Sequence, residues 1–331
     1  MLAVGRLLCA LLFALLVASI ANTRPIAGTP ASSSNDLLEF YSYDKSLPLN
    51  PSESFLAEEE THYVYKVYYD SVNAERVPAF LVLPKADPPY RYVLVIHGLG
   101  GDKNSLSTYM RHLADNGFAV MSIDLPKHGE RATGPIDLGE DLFYITTQGV
   151  FDIRRAVDYI KSRGDAACVA LLARSMGGII SSIALGVDVR FKAGVLISTG
   201  GNLTTIFTEG DLSGKYEEVR PVIEGEEGKY IEPLNYIGYY KGALQFHFGT
   251  QDTVIPPSSS QQLADAAACE KEVYWYETGH AIPESATIGR ILQFLNEKLT
   301  THPAASLGAF ACCFFPVLAA VVLARMSKRT F

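Results

Sequence analysis

Ser175, Asp252 and His280 follow one another in the chain, and each stands where an apolar run gives way to a turn. A hydroxyl, a carboxylate and an imidazole are the groups that nucleophilic acyl transfer needs. A serine is a poor nucleophile until a base takes its proton, and an acid beside that base fixes the imidazole tautomer and stabilises the imidazolium that forms. Ser175 lies in Ala173-Arg174-Ser175-Met176-Gly177-Gly178, between a run at 168–173 that reads as a buried strand and a run at 179–185 that reads as a helix. A serine in so tight a strand–turn–helix elbow presents its hydroxyl beside a helix N-terminus. The usual form of this elbow is G-x-S-x-G; Ala173 stands at the first glycine, where a small side chain is what the turn requires. Asp252 follows the run 244–248 within Gly249-Thr250-Gln251-Asp252-Thr253-Val254-Ile255-Pro256, and His280 follows 273–276 within Glu277-Thr278-Gly279-His280. Each taken singly has a plainer reading, as a turn serine, a turn-forming carboxylate and a loop histidine. Together, at three strand ends and in the order serine, acid, histidine, they match one of the convergent orders of a catalytic triad.

A fourth segment fits the same chemistry. His97-Gly98-Leu99-Gly100-Gly101 follows the run 92–96, and a glycine-rich turn there can aim backbone N–H groups at a developing oxyanion. The expected donors are the N–H groups of Leu99 and Met176, with Gly100 the alternative to Leu99. His97 reads either as a catalytic group or, as its place within the turn favours, as a structural hydrogen-bonding residue. The seven histidines show no metal-ligand spacing, so no metal is expected.

These residues need a scaffold that brings several strand ends to one edge. The runs 92–96, 118–123, 168–173, 193–197, 244–248 and 273–276 are short, apolar and separated by helix-length segments, as parallel strands buried on both faces should be. Ahead of them, 63–69 and 77–83 flank a polar turn and read as an antiparallel hairpin. Val150, Ile153, Val157 and Ile160 recur at helical spacing, with Asp152, Arg154, Arg155 and Lys161 expected on the other faces. The expected fold is α/β, a doubly wound, mostly parallel sheet with an N-terminal antiparallel hairpin. Its body runs over 54–301, and an insert at 198–240 is placed to act as a small lid. The insert's Ile206, Phe207 and tyrosines either line an acyl pocket or pin the lid to the core. Its acidic run reads mainly as a solvated face.

The motifs His97-Gly98-x-Gly100-Gly101, Ala173-x-Ser175-x-Gly177-Gly178, Gly249-x-x-Asp252-x-x-Ile255-Pro256 and Gly279-His280 resemble those of the α/β-hydrolase superfamily over about 63–299. The hairpin and the string Asp124-Leu125-Pro126-Lys127-His128-Gly129-Glu130-Arg131 are similar to the prolyl-oligopeptidase-like and dienelactone-hydrolase-like esterases. The resemblance implies a serine hydrolase without a cofactor. The expected activity is cleavage of small uncharged carboxylic esters through an acyl-enzyme on Ser175. The alternatives are a serine peptidase of the same fold and a catalytically silent hydrolase fold used as a binding module. Glu130 and Arg131 either meet substrate or pair at the base of their loop, and the second is favoured.

Of the 331 residues, 48% are hydrophobic and 19% charged, enough for a substantial core. A net charge of -8 without a lysine and arginine cluster excludes a nucleic-acid footprint. At the N-terminus, Arg6, an apolar run over 7–17 and Ser19-Ile20-Ala21 read as a secretory signal over 1–21, with an uncleaved anchor as the alternative; 22–53 reads as a linker. At the other end, 307–324 carries no charge and precedes Arg325, Lys328 and Arg329, the pattern of a transmembrane helix with a cytoplasmic basic tail over 325–331. A processed sorting tail is the alternative. Together these predict an extracytoplasmic enzyme anchored in a membrane. Cys168 and Cys269 are expected as unrelated thiols.

Overall fold

A computed structural model describes residues 34–300. The chain divides into two units, Met1–Phe40 and Tyr41–Phe331. In the first, the described residues form one short helix, α1 (Ser34–Phe40). The second is built on one nine-stranded sheet. Its strands are β1 (Ser52–Glu58), β2 (His62–Asp70), β3 (Arg76–Pro84), β4 (Tyr90–Ile96), β5 (Phe118–Ile123), β6 (Ala166–Arg174), β7 (Phe191–Ile197), β8 (Ala243–Gly249) and β9 (Lys271–Tyr276), in the spatial order β1-β2-β3-β5-β4-β6-β7-β8-β9. The strands from β5 to β9 pair in parallel, while β1, β2 and β3 run antiparallel and β3 joins β5 antiparallel. This is the α/β-hydrolase architecture. The expected hairpin is β2–β3; the additional β1 begins at Ser52, just inside the segment expected as linker.

The helices are α2 (Ser107–Asp115), α3 (Leu138–Ser162), α4 (Met176–Val187), α5 (Leu203–Glu209), α6 (Tyr216–Ile223), α7 (Gly228–Ile231), α8 (Pro257–Ala266) and α9 (Glu284–Lys298). Alternate residues of the parallel strands face opposite layers. On one side Val93, Val95, Leu172 and Val195 pack with Leu113 of α2 and Phe294 and Leu295 of α9. On the other lie α3 and α4. Helix α3 begins where Asp137 accepts the N–H groups of Gly139 and Glu140, and Val150, Ile153, Val157 and Ile160 are all buried as its periodicity requires. Two of its charged residues depart from expectation. Asp152 and Arg155 are buried as well: Asp152 accepts from Arg131 at 2.6 Å, and Arg155 donates to Asp158 at 2.9 Å and to the Leu47 carbonyl at 2.8 Å. Segments distant in sequence cover that flank, so the charges are paired inside rather than solvated. Cys168 and Cys269 are separate free thiols.

The expectation of a membrane-anchored, extracytoplasmic protein is corrected. Among the described residues no helix is long and apolar enough to cross a membrane. The signal expected at 1–21, the span expected at 307–324 and the tail at 325–331 lie outside the described residues.

His247 of β8 is fully buried between the rings of Tyr274 and Tyr276; its Nδ1 lies 2.8 Å from the Tyr276 hydroxyl and its Nε2 2.9 Å from Gln245 Oε1. Burial holds this imidazole down at about 3, and burial likewise holds His97 at about 4. Both stay neutral in the fold while the unfolded chain protonates them near 6.5, so their contribution to stability is complete above that pH and is lost as the pH falls. Between pH 6 and 4.5 each should add up to about 1.4 kcal/mol per pH unit to the decline. Urea unfolding across this range should give a slope shallower by one histidine's share in His247→Gln; equal slopes would remove His247 from the acid response.

Candidate active site

The turn from β6 into α4 is the centre of the site. Ser175 adopts φ 56° and ψ −129°, a left-handed conformation that a non-glycine residue holds only when its surroundings impose it. Here they do. Its N–H donates to the Ile197 carbonyl at 2.9 Å, and its carbonyl accepts from Thr199 Oγ1 at 2.9 Å and from the Gly178 N–H at 2.7 Å. The two following glycines are needed for approach: a Cβ on Gly177 would lie 2.2 Å from the His97 carbonyl oxygen, and one on Gly178 would lie 2.6 Å from the Thr199 side chain. So α4 starts pressed against the glycine-rich turn after β4.

The loop after β8 carries Asp252 and the loop after β9 carries His280. They are laced together by the Gln251 N–H on the Thr278 carbonyl at 3.0 Å and by the bare backbone of Gly249, where a Cβ would lie 2.5 Å from the carbonyl oxygens of Thr278 and Gly279. His280 Nε2 is 2.9 Å from Ser175 Oγ, and His280 Nδ1 is 2.8 Å from Asp252 Oδ2. The carboxylate is buried, and its other oxygen accepts the N–H groups of Val254 and Ile255, both at 2.9 Å. With Asp252 ionised, Nδ1 carries the proton and donates it to the carboxylate, which leaves Nε2 as acceptor for the serine hydroxyl. All three residues expected from the sequence are thus brought into one hydrogen-bonded line.

The turn at 97–101 lies over the same serine. A Cβ on Gly98 would sit 3.0 Å from Ser175 Cβ. The N–H groups of Leu99 and Met176 donate to no acceptor among the described residues. His97 is turned to the backbone: its Nε2 accepts the Leu125 N–H at 3.1 Å and its Nδ1 lies 2.8 Å from the Gly98 carbonyl. That is the structural role its position favoured. At the other end of the turn, Lys103 donates its N–H to Asp124 Oδ1 and its ammonium to Asp124 Oδ2, both at 2.8 Å. Asp124-Leu125 therefore grips both ends of the segment that carries Leu99. Glu130 pairs with Lys103 at 2.6 Å and with Lys66, while Arg131 bridges Asp152 and Glu75. Both pair at the loop base. Asp124 was visible only as part of a family-like string, and Lys103 carried no signal, because an ion pair between distant segments leaves no local pattern.

A narrow, partly open pocket of about 80 Å³ lies at Ser175. Its walls are Leu142 and Ile179 from α3 and α4, Leu203, Ile206, Phe207 and Leu212 from the insert, and Val254 and Ile255 beside the acid. Ile206 and Phe207 do both things the sequence left open, lining this pocket and packing on Leu142 and Ile179. Two of the insert's acidic residues form surface ion pairs, Glu218 with Lys215 and Glu217 with Arg220.

Two family models match the chain: serine aminopeptidase, S33, over residues 87–207, and serine hydrolase (FSH1) over residues 221–290. Among solved structures, the chain resembles the acetyl xylan esterase from Paenibacillus sp. R4, with TM-score 0.65, 21% identity, and coverage of 79% of this chain and 92% of that one. Acetyl xylan esterase 1 from Thermoanaerobacterium sp. JW/SL YS485 gives TM-score 0.65, 16% identity and coverage of 81% and 92%. Est1E from Butyrivibrio proteoclasticus, solved with ferulic acid, gives 0.57, 18%, 71% and 99%. In sequence, an uncharacterized protein of Mycobacterium tuberculosis is 23% identical over 234 residues, 66% of this chain; the chain spans 57% of the length of that relative.

Proposed function

We propose that this chain, which has the α/β-hydrolase fold and matches serine-hydrolase family models over 87–207 and 221–290, is a serine hydrolase that cleaves carboxylic esters through an acyl-enzyme on Ser175. His280 Nε2 takes the Ser175 proton as Oγ attacks the ester carbonyl, and the N–H groups of Leu99 and Met176 receive the oxyanion. As the tetrahedral adduct collapses, His280 returns that proton to the leaving oxygen, which departs as an alcohol. Water then gives a proton to His280, attacks the acyl group and releases the carboxylic acid with Ser175 restored.

The observation that supports this reading most is the unbroken line from Ser175 Oγ through His280 to Asp252, at 2.9 and 2.8 Å. An ester rather than a peptide is favoured because the cavity at Ser175 is lined by apolar side chains and Thr146, with no charged group to hold a peptide terminus. The test is incubation of the folded protein with a fluorophosphonate probe, followed by mass spectrometry of the labelled peptide and by turnover of p-nitrophenyl acetate and of an aminoacyl p-nitroanilide. Label on Ser175 with turnover of the ester is the expected result. Label with cleavage of the anilide alone would move the chain to the peptidases, and folded protein that takes no label would overturn the reading.

A further inference from the structure

Leu99 and Leu138 stand in the walls of two neighbouring spaces. One is the 80 Å³ apolar pocket at Ser175; the other is an open cleft of about 590 Å³, lined by polar groups such as Lys127, His128 and Lys215. Resting on the ester reading above, the geometry assigns the two halves of a substrate. The leaving oxygen must face His280 Nε2 to receive its proton, and His280 lines neither space. The pocket at Ser175 therefore takes the acyl tail, while the alcohol departs past the His280 imidazole, whose side chain is 23% exposed.

We propose that the enzyme selects short acyl groups, acetyl to butyryl, and that Leu99 and Leu138 set this limit by closing the acyl pocket off from the larger cleft. An enclosed apolar cavity of about 150 Å³ takes a benzene ring, so 80 Å³ takes about three carbons beyond the carbonyl. The remaining walls cannot yield easily. Leu142, Ile179, Leu203, Ile206 and Phe207 are buried in one cluster shared by α3, α4 and the insert. The partition is different: Leu138 is half-buried at the first turn of α3, and Leu99 is 44% exposed on a glycine-flanked turn. Leu138 is the residue to change, because the Leu99 backbone serves the oxyanion.

The experiment measures kcat/KM for p-nitrophenyl acetate, butyrate and octanoate with the full chain and with Leu138→Ala and Leu138→Phe. In the wild type, octanoate should fall about 100-fold below butyrate. Leu138→Ala should raise the octanoate-to-butyrate ratio at least tenfold, and Leu138→Phe should lower the butyrate-to-acetate ratio. Each ratio is internal to one variant, so partial loss of folded protein divides out, and Leu138→Phe carries the test should Leu138→Ala not fold. Wild-type octanoate cleavage equal to that of butyrate, or ratios unmoved by the variants, overturns the assignment while acetate turnover leaves the ester reading intact. Absence of turnover together with absence of probe label on Ser175 overturns both.

Discussion

Ser175→Ala is expected to lower kcat on p-nitrophenyl acetate by about six orders of magnitude, down to whatever the oxyanion donors and substrate binding still provide. The size follows from what is lost: without Oγ there is no acyl-enzyme, and His280 has no proton to take at the point of attack. His280→Ala should fall nearly as far, and the double variant no further than either, because the hydroxyl and the imidazole act as one unit across 2.9 Å. Asp252→Asn should retain the fold and lose about 10⁴ in kcat, since an amide can donate to Nδ1 and favour the wrong tautomer. The same position carries a stability result of opposite sign. Ser175 sits at φ 56°, and glycine adopts that angle without the Cβ penalty. Ser175→Gly should therefore be inactive yet more stable by about 1 kcal/mol, or about 2–4 °C in Tm for a domain of this size. Calorimetry beside the rate assay separates the two effects. A Ser175→Ala protein with wild-type turnover would end the triad assignment, and a Ser175→Gly protein less stable than wild type would show that the elbow stores no strain.

The same contrast between local and distant causes explains what could be read from the sequence. Ser175 and Asp252 were legible because each follows a buried parallel strand, and such strands announce themselves as short unbroken apolar runs followed by a turn. His280 follows the edge strand β9, none of whose residues is fully buried, and was found through the short run 273–276 and the glycine before it. Strand β1 was not, because six of its seven residues are exposed and the seventh is only half-buried, so no alternation marks it. Asp152 and Arg155 looked solvated because helical periodicity sorts residues by face but does not reveal that Arg131 and the Leu47 carbonyl will cover one of them. The insert divided along similar lines. Its tyrosines and its Ile206 and Phe207 are all apolar-bodied residues among acids, yet only the latter two reach the Ser175 pocket, a matter settled by how α5 packs on α3 and α4. Polar order beneath the turn at 97–101 was the least visible, and it has the second largest consequence.

Asp124→Asn is expected to cost about 3–5 kcal/mol of stability and, in the fraction that remains folded, about 10² in kcat with KM little changed. The carboxylate is fully buried and accepts three donors: the Lys103 N–H on Oδ1, and the Lys103 ammonium and the Glu130 N–H, at 2.8 and 3.0 Å, on Oδ2. Asparagine keeps the shape and one acceptor but turns an N–H₂ toward the two donors that met Oδ2. Lys103 retains Glu130 at 2.6 Å, which places the loss toward the lower end of that range. The rate effect has a separate origin. Leu99 lies between His97, held by the Leu125 N–H, and Lys103, held by Asp124, so slackening one end lets the Leu99 N–H drift from the position where the oxyanion forms. A shift of about 1 Å is enough for the stated loss. Binding of a trifluoromethyl ketone, which mimics the tetrahedral adduct, should weaken in proportion to kcat/KM, whereas a merely structural role would leave it unchanged in folded protein. The Lys103→Met/Asp124→Leu variant sharpens the distinction. It removes both charges, so stability should recover in part, but the N–H groups of Lys103 and Glu130 still lack their acceptor and kcat should stay low. Recovery of kcat together with stability would mean that the ion pair holds the fold while the Leu99 turn keeps its own geometry.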